Sequence, residues 1–422
     1  MQARATDGLP AVLGGEPAFP EGLQLVRPIV DGAEDIARDI VDVLNSGVLT
    51  NAGRVKELER LCAERLGVRH CVAVSSCTSG LMLVLRAADL TGDVVLPSFT
   101  FAATAHAVVW NGLRPVFADV DAATLTLSTA AARQASGVRT AAILATHTFG
   151  TPCDVDGLEA LARERGAALF FDAAHAFGAR AGGRPVGSFG DAEVFSLSAT
   201  KPLVAGEGGL IATDDDLLAE RCRMGRDYGH PGDYDCRFPG LNARMSELHA
   251  AVALASFHGV DARSERRNEL AAVYRDALSA IPGMGFPSVP ETSWSTFKDL
   301  TVLVEAEAFG MEAAELGKAL AAEGVETRRY YSPPVHQMVA YRGLAGRNGH
   351  LPETDRAAER VLTLPLWWGM SDQDPVRVAG AVQRIHDTVA QPGSAEKIRQ
   401  MAHAAPRRPG YVQGQMGEDS RA

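Results

Sequence analysis

The chain has 422 residues, 42 of them glycine and 22 proline, with 46% in the AVILMFWYC set and 22% charged. That length buries a full core and fits one large domain plus a smaller one, while the composition excludes collagen, coiled coil and wholesale disorder. The formal net charge of −11 repels phosphate backbones and no Lys/Arg run makes a nucleic-acid footprint, so any anionic ligand needs a local site.

Residues 1–24 carry Gly and Pro without a continuous apolar stretch, so they are read as a flexible segment and not as a signal peptide. Apolar residues then recur at helical spacing from Ala33 to Leu66, broken at Ser46-Gly47, which predicts two helices joined by a turn. Beyond them the period changes. Short apolar runs occur at Cys71–Val74, Val94–Leu96, Val116–Ala118, Ala141–Ala145, Ala167–Phe171, Glu193–Phe195 and Leu210–Ala212, most of them separated by helix-length segments. Near-continuously apolar strands of this kind predict a mostly parallel sheet covered by helices on both faces, an α/β large domain over 25–260. An Arg/Glu/Ala-rich helix, Ala262 to Leu278, leads into a small α+β domain over 261–390, with a strand at Leu300–Val304, a helix at Glu312–Glu323, an extended piece at Leu362–Leu366 and a last helix at Asp374–Val389. The tail, 391–422, lacks periodicity and is expected to be disordered. The six cysteines contain no C-x-x-C pair and are too few to staple a chain of this length, which points to a reducing cytoplasm. The longest apolar runs fall far short of the roughly 20 residues of a membrane span.

Chemistry concentrates where predicted strands end, which is where open α/β sheets bind ligands. Ser75-Ser76-Cys77-Thr78-Ser79-Gly80 follows the first strand and opens a helix, a setting whose backbone N–H groups suit a phosphate. Phe170-Phe171-Asp172-Ala173-Ala174-His175 ends a strand with a carboxylate kept partly dry. Phe195-Ser196 through Thr200-Lys201 places a lone lysine among small and apolar residues, where a lowered pKa makes a nucleophilic amine. Alone, each has a plainer reading: a helix N-cap, a capping or metal-ligating Asp beside His175, a solvated lysine. Together they match the demands of pyridoxal phosphate: a phosphate cradle, a carboxylate for the pyridine nitrogen and a lysine for the aldehyde. Dinucleotide, P-loop, serine-hydrolase and zinc-protease signatures are absent from the sequence.

Further stretches carry a resemblance. These are Ser46-Gly47 through Gly53, Ser76 to Leu81, Pro97-Ser98-Phe99-Thr100-Phe101-Ala102-Ala103-Thr104, Pro115 to Asp121, Asp172-Ala173-Ala174-His175-Ala176, Gly206-Glu207-Gly208-Gly209, Gly240-Leu241-Asn242-Ala243-Arg244-Met245-Ser246-Glu247, Tyr331-Ser332-Pro333-Pro334-Val335-His336 and Leu362-Thr363-Leu364-Pro365-Leu366. In these the chain resembles the sugar aminotransferases of the DegT/DnrJ/EryC1/StrS family, fold-type-I pyridoxal-phosphate-dependent transferases, from about Leu44 to Ile385. The resemblance implies Lys201 as the Schiff-base lysine, Asp172 as the partner of the pyridine nitrogen, His175 near the ring's phenolic oxygen, and Thr78, Ser79 and Ser196 as phosphate ligands. It implies Phe101 stacked on the cofactor and Asn242 reaching the phosphate of a neighbouring subunit, hence a homodimer with shared active sites. It also implies small-molecule substrates, with glutamate or glutamine as donor and a nucleotide-linked keto-deoxysugar as acceptor. A cyclitol ketone acceptor, a sugar dehydratase and a regulator without catalysis are the alternatives, and Lys201 argues against the last two. Phe149 stands where relatives often have Tyr, which bears on substrate contacts. Arg226, His230, Arg237, Arg328 and Arg329 are the candidate cations for an acceptor diphosphate.

Overall fold

The computed structural model describes residues 8–344, 351–391 and 393–404. Seven apolar runs pair into one sheet: β1 (His70–Val74), β2 (Asp93–Pro97), β3 (Arg114–Ala118), β4 (Thr140–Thr146), β5 (Ala168–Asp172), β6 (Ala192–Ser196) and β7 (Gly209–Thr213). Their spatial order is β1-β7-β6-β5-β4-β2-β3. The pairs among β2 to β6 are parallel, and β7 alone runs antiparallel to its neighbours β1 and β6. Side chains alternate between faces, with Val94, Leu96, Leu144, Phe170 and Val194 in one core and Val95, Ile143, Ala145, Phe171 and Phe195 in the other. Helices Cys77–Ala87, Ala102–Trp110 and Asp216–Gly225 cover the first face, and Gly53–Leu66, Val155–Arg165 and Glu247–Phe257 cover the second. Burial on both faces is why these strands read as continuous apolar runs rather than as alternating ones. Because β1 and β2 to β6 run in one direction, Val74, Pro97, Ala118, Thr146, Asp172 and Ser196 all end on the same edge of the sheet.

A second, antiparallel sheet pairs β8 (Met284–Gly285), β9 (Leu300–Val304) and β10 (Val361–Leu364). It shares a core with helices Ala313–Ala322 and Gln373–Val389. The helix Val260–Leu278 joins the two regions without a break: Val260 lies in a core of the first sheet, while Leu270, Ala271, Tyr274 and Leu278 lie in that of the second. Among the described residues no helix is long and apolar enough to cross a membrane.

Both chain ends depart from the sequence reading. The segment 1–24, expected to be flexible, is packed over its described part, with Val12, Phe19 and Leu23 buried in the second core. The Glu323 side chain explains why. It is fully buried and its carboxylate accepts the N–H groups of Ala11 and Ala18, each at 2.9 Å, and Nη2 of Arg384 at 2.8 Å. The tail, expected to be disordered over 391–422, holds a helix at Ser394–Ala404 whose Ile398 is fully buried in the same core. Residues 1–7 and 405–422, the rest of these two expectations, lie outside the described residues. Removing a buried carboxylate that serves three donors strands all of them. Glu323→Ala is therefore expected to destabilise the protein by about 3 kcal/mol, seen as a lower urea midpoint together with new protease cleavage before residue 24. An unchanged midpoint would refute this role for Glu323.

Candidate active site

The crevice begins where β1 ends. Ser76 caps the helix Cys77–Ala87: its Oγ accepts the Ser79 N–H at 3.1 Å, while the Ser79 hydroxyl oxygen accepts the Ser76 N–H at 3.1 Å. The first N–H bonded along the helix is that of Gly80, to the Ser76 carbonyl at 3.0 Å. Among the described residues the amides of Cys77 and Thr78 meet no acceptor, so the first turn presents two open donors at the positive end of the helix dipole. Strand β7 starts hard against this turn. A Cβ on Gly209 would sit 2.5 Å from the Ser76 carbonyl carbon and 2.6 Å from the Cys77 nitrogen, so only glycine permits the approach. Ser196, at the end of β6, bonds from its hydroxyl to Ser198 Oγ at 3.3 Å.

Asp172 ends β5 and is 4% exposed. Its Oδ2 accepts the Thr104 hydroxyl at 2.7 Å and its Oδ1 the Ala174 N–H at 3.1 Å. Burial pushes its carboxyl above the ordinary range, against the pull of these two bonds and of the Lys201 charge. Thr104 stands one helical turn after Phe101, the N-cap of the helix Ala102–Trp110. Phe101 is 63% exposed, although Ser98, Phe99 and Thr100 just before it are fully buried. Cys77 lies between the cradle and Asp172, with Sγ 3.9 Å from Oδ1, and burial pushes its thiol well up, which keeps it a neutral, space-filling group.

The Lys201 side chain donates no hydrogen bond and forms no ion pair among the described residues, while its backbone N–H donates to the Ser198 carbonyl at 3.0 Å. Burial, helped by the Lys298 charge, pushes its ammonium down to about 8, and Asp299, Cys77 and Asp172 oppose the shift. His175 is buried, and Nδ1 lies 3.8 Å from Asp299 Oδ2. Burial and the charges of Lys201 and Lys298 hold its pKa well below the usual value, so the imidazole is neutral. Asp299 and Lys298, just before β9, form a buried pair with Nζ to Oδ1 at 2.6 Å, while Asp299 Oδ2 has no hydrogen-bond partner among the described residues. The turn that holds Phe149 braces this pair, its carbonyl accepting the Lys298 N–H at 3.1 Å. Phe149 itself is 5% exposed and stacks on Tyr331 with ring centres 6.1 Å apart, so it packs between the two regions.

The sequence pattern of the DegT/DnrJ/EryC1/StrS aminotransferase family matches residues 30–383. The chain belongs to that family. It is an aminotransferase with the fold-type-I architecture of mostly parallel sheet and helices. It is 36% identical over 342 residues to a UDP-N-acetyl-3-dehydro-alpha-D-glucosamine 3-aminotransferase of Acidithiobacillus ferrooxidans, covering 80% of this chain and 90% of the relative. It is 34% identical over 369 residues to the spore coat polysaccharide biosynthesis protein SpsC of Bacillus subtilis, covering 84% and 95%. Among solved structures, DesI in the presence of its TDP-sugar product matches with a TM-score of 0.84 and 39% identity, covering 90% of this chain and 96% of that one.

Within this family member the structure gathers Thr78, Ser79, Asp172, His175, Ser196 and Lys201 at one edge of the sheet, with the exposed ring of Phe101 on the helix that supplies Thr104. Asn242 is not bonded to any of them: it is exposed, and its Oδ1 accepts Nη2 of Arg244 at 3.2 Å. Ser79 holds its N–H in the cap, which leaves Cys77 and Thr78 as the open amides. The proposed diphosphate cations mostly have other work. Arg226 is buried, bonding to the Ala73 carbonyl at 2.7 Å and to Glu59, and Arg237 pairs with Asp233 and Asp235. Arg328 pairs with Glu326 at 2.8 Å, Arg329 bonds to the Ala358 carbonyl at 2.6 Å, and His230 accepts the Gly232 N–H at 3.1 Å. Sequence reading missed Thr104, Lys298 and Asp299. Only Thr104 lay inside a quoted motif, where its spacing of three from Phe101 was a usable signal.

Proposed function

We propose that the chain uses pyridoxal phosphate to transfer an amino group from glutamate or glutamine to a nucleotide-linked keto-deoxysugar. One observation carries this reading: a partnerless Lys201 amine, neutralised near pH 8, stands at the sheet edge that also holds the buried carboxylate of Asp172. The residues fit the cofactor. The open amides of Cys77 and Thr78 with the Ser196 hydroxyl suit a phosphate, Asp172 suits a protonated ring nitrogen, and neutral His175 and exposed Phe101 suit the edge and face of an aromatic ring. When bound, the cofactor supplies an aldehyde that captures the amino group and a ring that takes up the electron pair left by the departing proton. Lys201 Nζ is the group placed to take that proton from the donor's α-carbon and to return it, since a pKa of about 8 keeps both protonation states populated near neutrality. Thr104 and the Ala174 amide hold Asp172 in one orientation. The nucleotide sugar follows the relatives: one is named for a UDP-linked 3-dehydro sugar, and DesI is described with a TDP-sugar product.

The reading extends to two shared sites in a homodimer, with Asn242 supplied across the interface. The test is an absorbance spectrum of the purified protein before and after excess glutamate or glutamine. A visible cofactor band that is lost on adding donor, and that Lys201→Ala never shows, is the expected result. No band even with added pyridoxal phosphate would sink the proposal.

A further inference from the structure

Behind Asp172 three threonine hydroxyls are strung together in the core. Thr104 Oγ1 donates to Asp172 Oδ2 at 2.7 Å, Thr100 Oγ1 lies 2.9 Å from Thr104 Oγ1, and Thr146 Oγ1 lies 3.0 Å from Thr100 Oγ1. Thr100 and Thr104 are fully buried and Thr146 is 6% exposed. Each comes from a different part of the fold: Thr146 ends β4 and pairs in register with Asp172, Thr100 follows β2, and Thr104 is on the helix Ala102–Trp110. Hydroxyls cost free energy in a core unless each is bonded, and valine would fill the same space without that demand.

The direction of every bond follows from counting hydrogens, because a hydroxyl has only one to give. An ionised Asp172 can only accept, so it takes the hydrogen of Thr104. Thr104 must then accept from Thr100, and Thr100 from Thr146, so all three hydroxyl dipoles turn their positive ends toward Oδ2. If Asp172 is protonated on Oδ2 and donates, the order reverses. That takes the Thr146 hydrogen out of the chain, and the Thr146 hydroxyl has no other partner among the described residues. The ionised form therefore keeps one more bond, and hydrogen bonds in a row polarise one another. We propose that Thr100 and Thr146 are positioning residues for amino transfer: through Thr104 they hold Asp172 in its charged form against its burial. The inference rests on the reading of Asp172 as the partner of a cationic ring nitrogen, since only the charged form makes that pair. The titratable groups facing Asp172 are Lys201, His147, the Cys77 thiol and Tyr331, and substitutions at Thr100 or Thr146 replace none of them.

The first test needs no cofactor. Melting temperatures of wild type and Asp172→Asn are compared across pH, and the pH-dependent gap between them reads the cost of the Asp172 charge. The same gap is then measured with Thr100→Val in both proteins. Valine keeps the shape and cuts the chain in the middle. The gap at pH 7 should widen and its plateau should move up by about half a pH unit, the size expected when a charge-assisted bond loses a tenth to a third of its strength. Thr146→Val should act in the same direction by less, and Thr100→Ser, which keeps the hydroxyl, should leave the gap at its wild-type value. A role in packing alone would lower both melting temperatures and leave the gap unmoved, and that result overturns the proposal. The second test is the dissociation constant of pyridoxamine phosphate, read by tryptophan fluorescence. Thr100→Val is expected to raise it about threefold at pH 7, and Thr100→Ser to leave it unchanged. A Thr100→Val constant equal to that of wild type also overturns the proposal. If wild type does not bind pyridoxamine phosphate at all, the functional reading fails by itself, and the melting gap still decides whether the chain holds the charge.

Discussion

Replacing Lys201 with methionine is expected to lower kcat for amino transfer by at least about 10⁴-fold while making the cofactor-free fold more stable at neutral pH. Both effects come from one amine. Its chemistry needs a neutral, unshared electron pair, and the site provides this by burial and by withholding any hydrogen-bond partner. The same environment penalises the ammonium. A lysine whose folded pKa, about 8, lies below the ordinary 10.5 carries its full cost below pH 8, and that cost disappears as pH rises toward 10.5. The shift corresponds to roughly 3 kcal/mol. Methionine keeps the volume and removes the charge, so the variant should melt higher than wild type at pH 7, with the gap nearly closed at pH 10. Thermal melts of both cofactor-free proteins at the two pH values check this. A gap independent of pH would show that Lys201 is not charged in the folded protein. Turnover of wild type should rise through about pH 8 for the same reason, as Nζ becomes able to accept a proton.

The large sheet was legible because both of its faces are buried. Runs such as Val94–Leu96 and Phe170–Phe171 send successive side chains to opposite cores, leaving an apolar signature with polar residues only at the ends. That is why Asp172, Ser196 and Lys201 stood out. Residues whose role depends on packing between distant segments did not. Lys298-Asp299 before an apolar strand reads as a solvated turn, and nothing local tells that the turn around Phe149 covers it. Arg267, only 6% exposed, sits in a helix rich in Arg and Glu, where charge reads as surface. Conversely, Arg226 looked like a free cation because Glu59, 167 residues away, is invisible to a local reading, whereas Arg237 pairs with Asp233 and Asp235 close by in the sequence. The N-terminal arm failed similarly: Val12, Phe19 and Leu23 have no periodicity of their own and are ordered by Glu323, more than 300 residues further on.

Asp172→Asn is expected to reduce kcat by about 10³-fold, within the range for loss of a charge that acts in the transition state, with little effect on folding. Asparagine fits the same space, and its amide oxygen can still accept the Thr104 hydroxyl that meets Oδ2 at 2.7 Å, although its amide nitrogen cannot accept the Ala174 N–H that meets Oδ1 at 3.1 Å. What disappears is the negative charge. Burial raises the Asp172 carboxyl above its ordinary value of 3.8, so in the cofactor-free protein the cost in stability sets in as pH rises above that ordinary value and is complete above the raised one. The sign follows: the Asn variant without cofactor should melt at or above the wild-type temperature at pH 7, and the difference should shrink as pH falls and Asp172 takes up a proton. With cofactor the order should reverse, because only the carboxylate can pair with a cationic ring nitrogen and return the energy spent on its burial. A cofactor methylated on that nitrogen carries its positive charge permanently and needs no carboxylate to keep it. Reconstituting Asp172→Asn with the methylated cofactor should therefore recover at least about tenfold of the lost rate, a modest share of an electrostatic contribution of this size. No recovery, in a variant that binds the methylated cofactor and melts normally, would show that Asp172 acts by holding Thr104 and the helix behind it rather than by its charge.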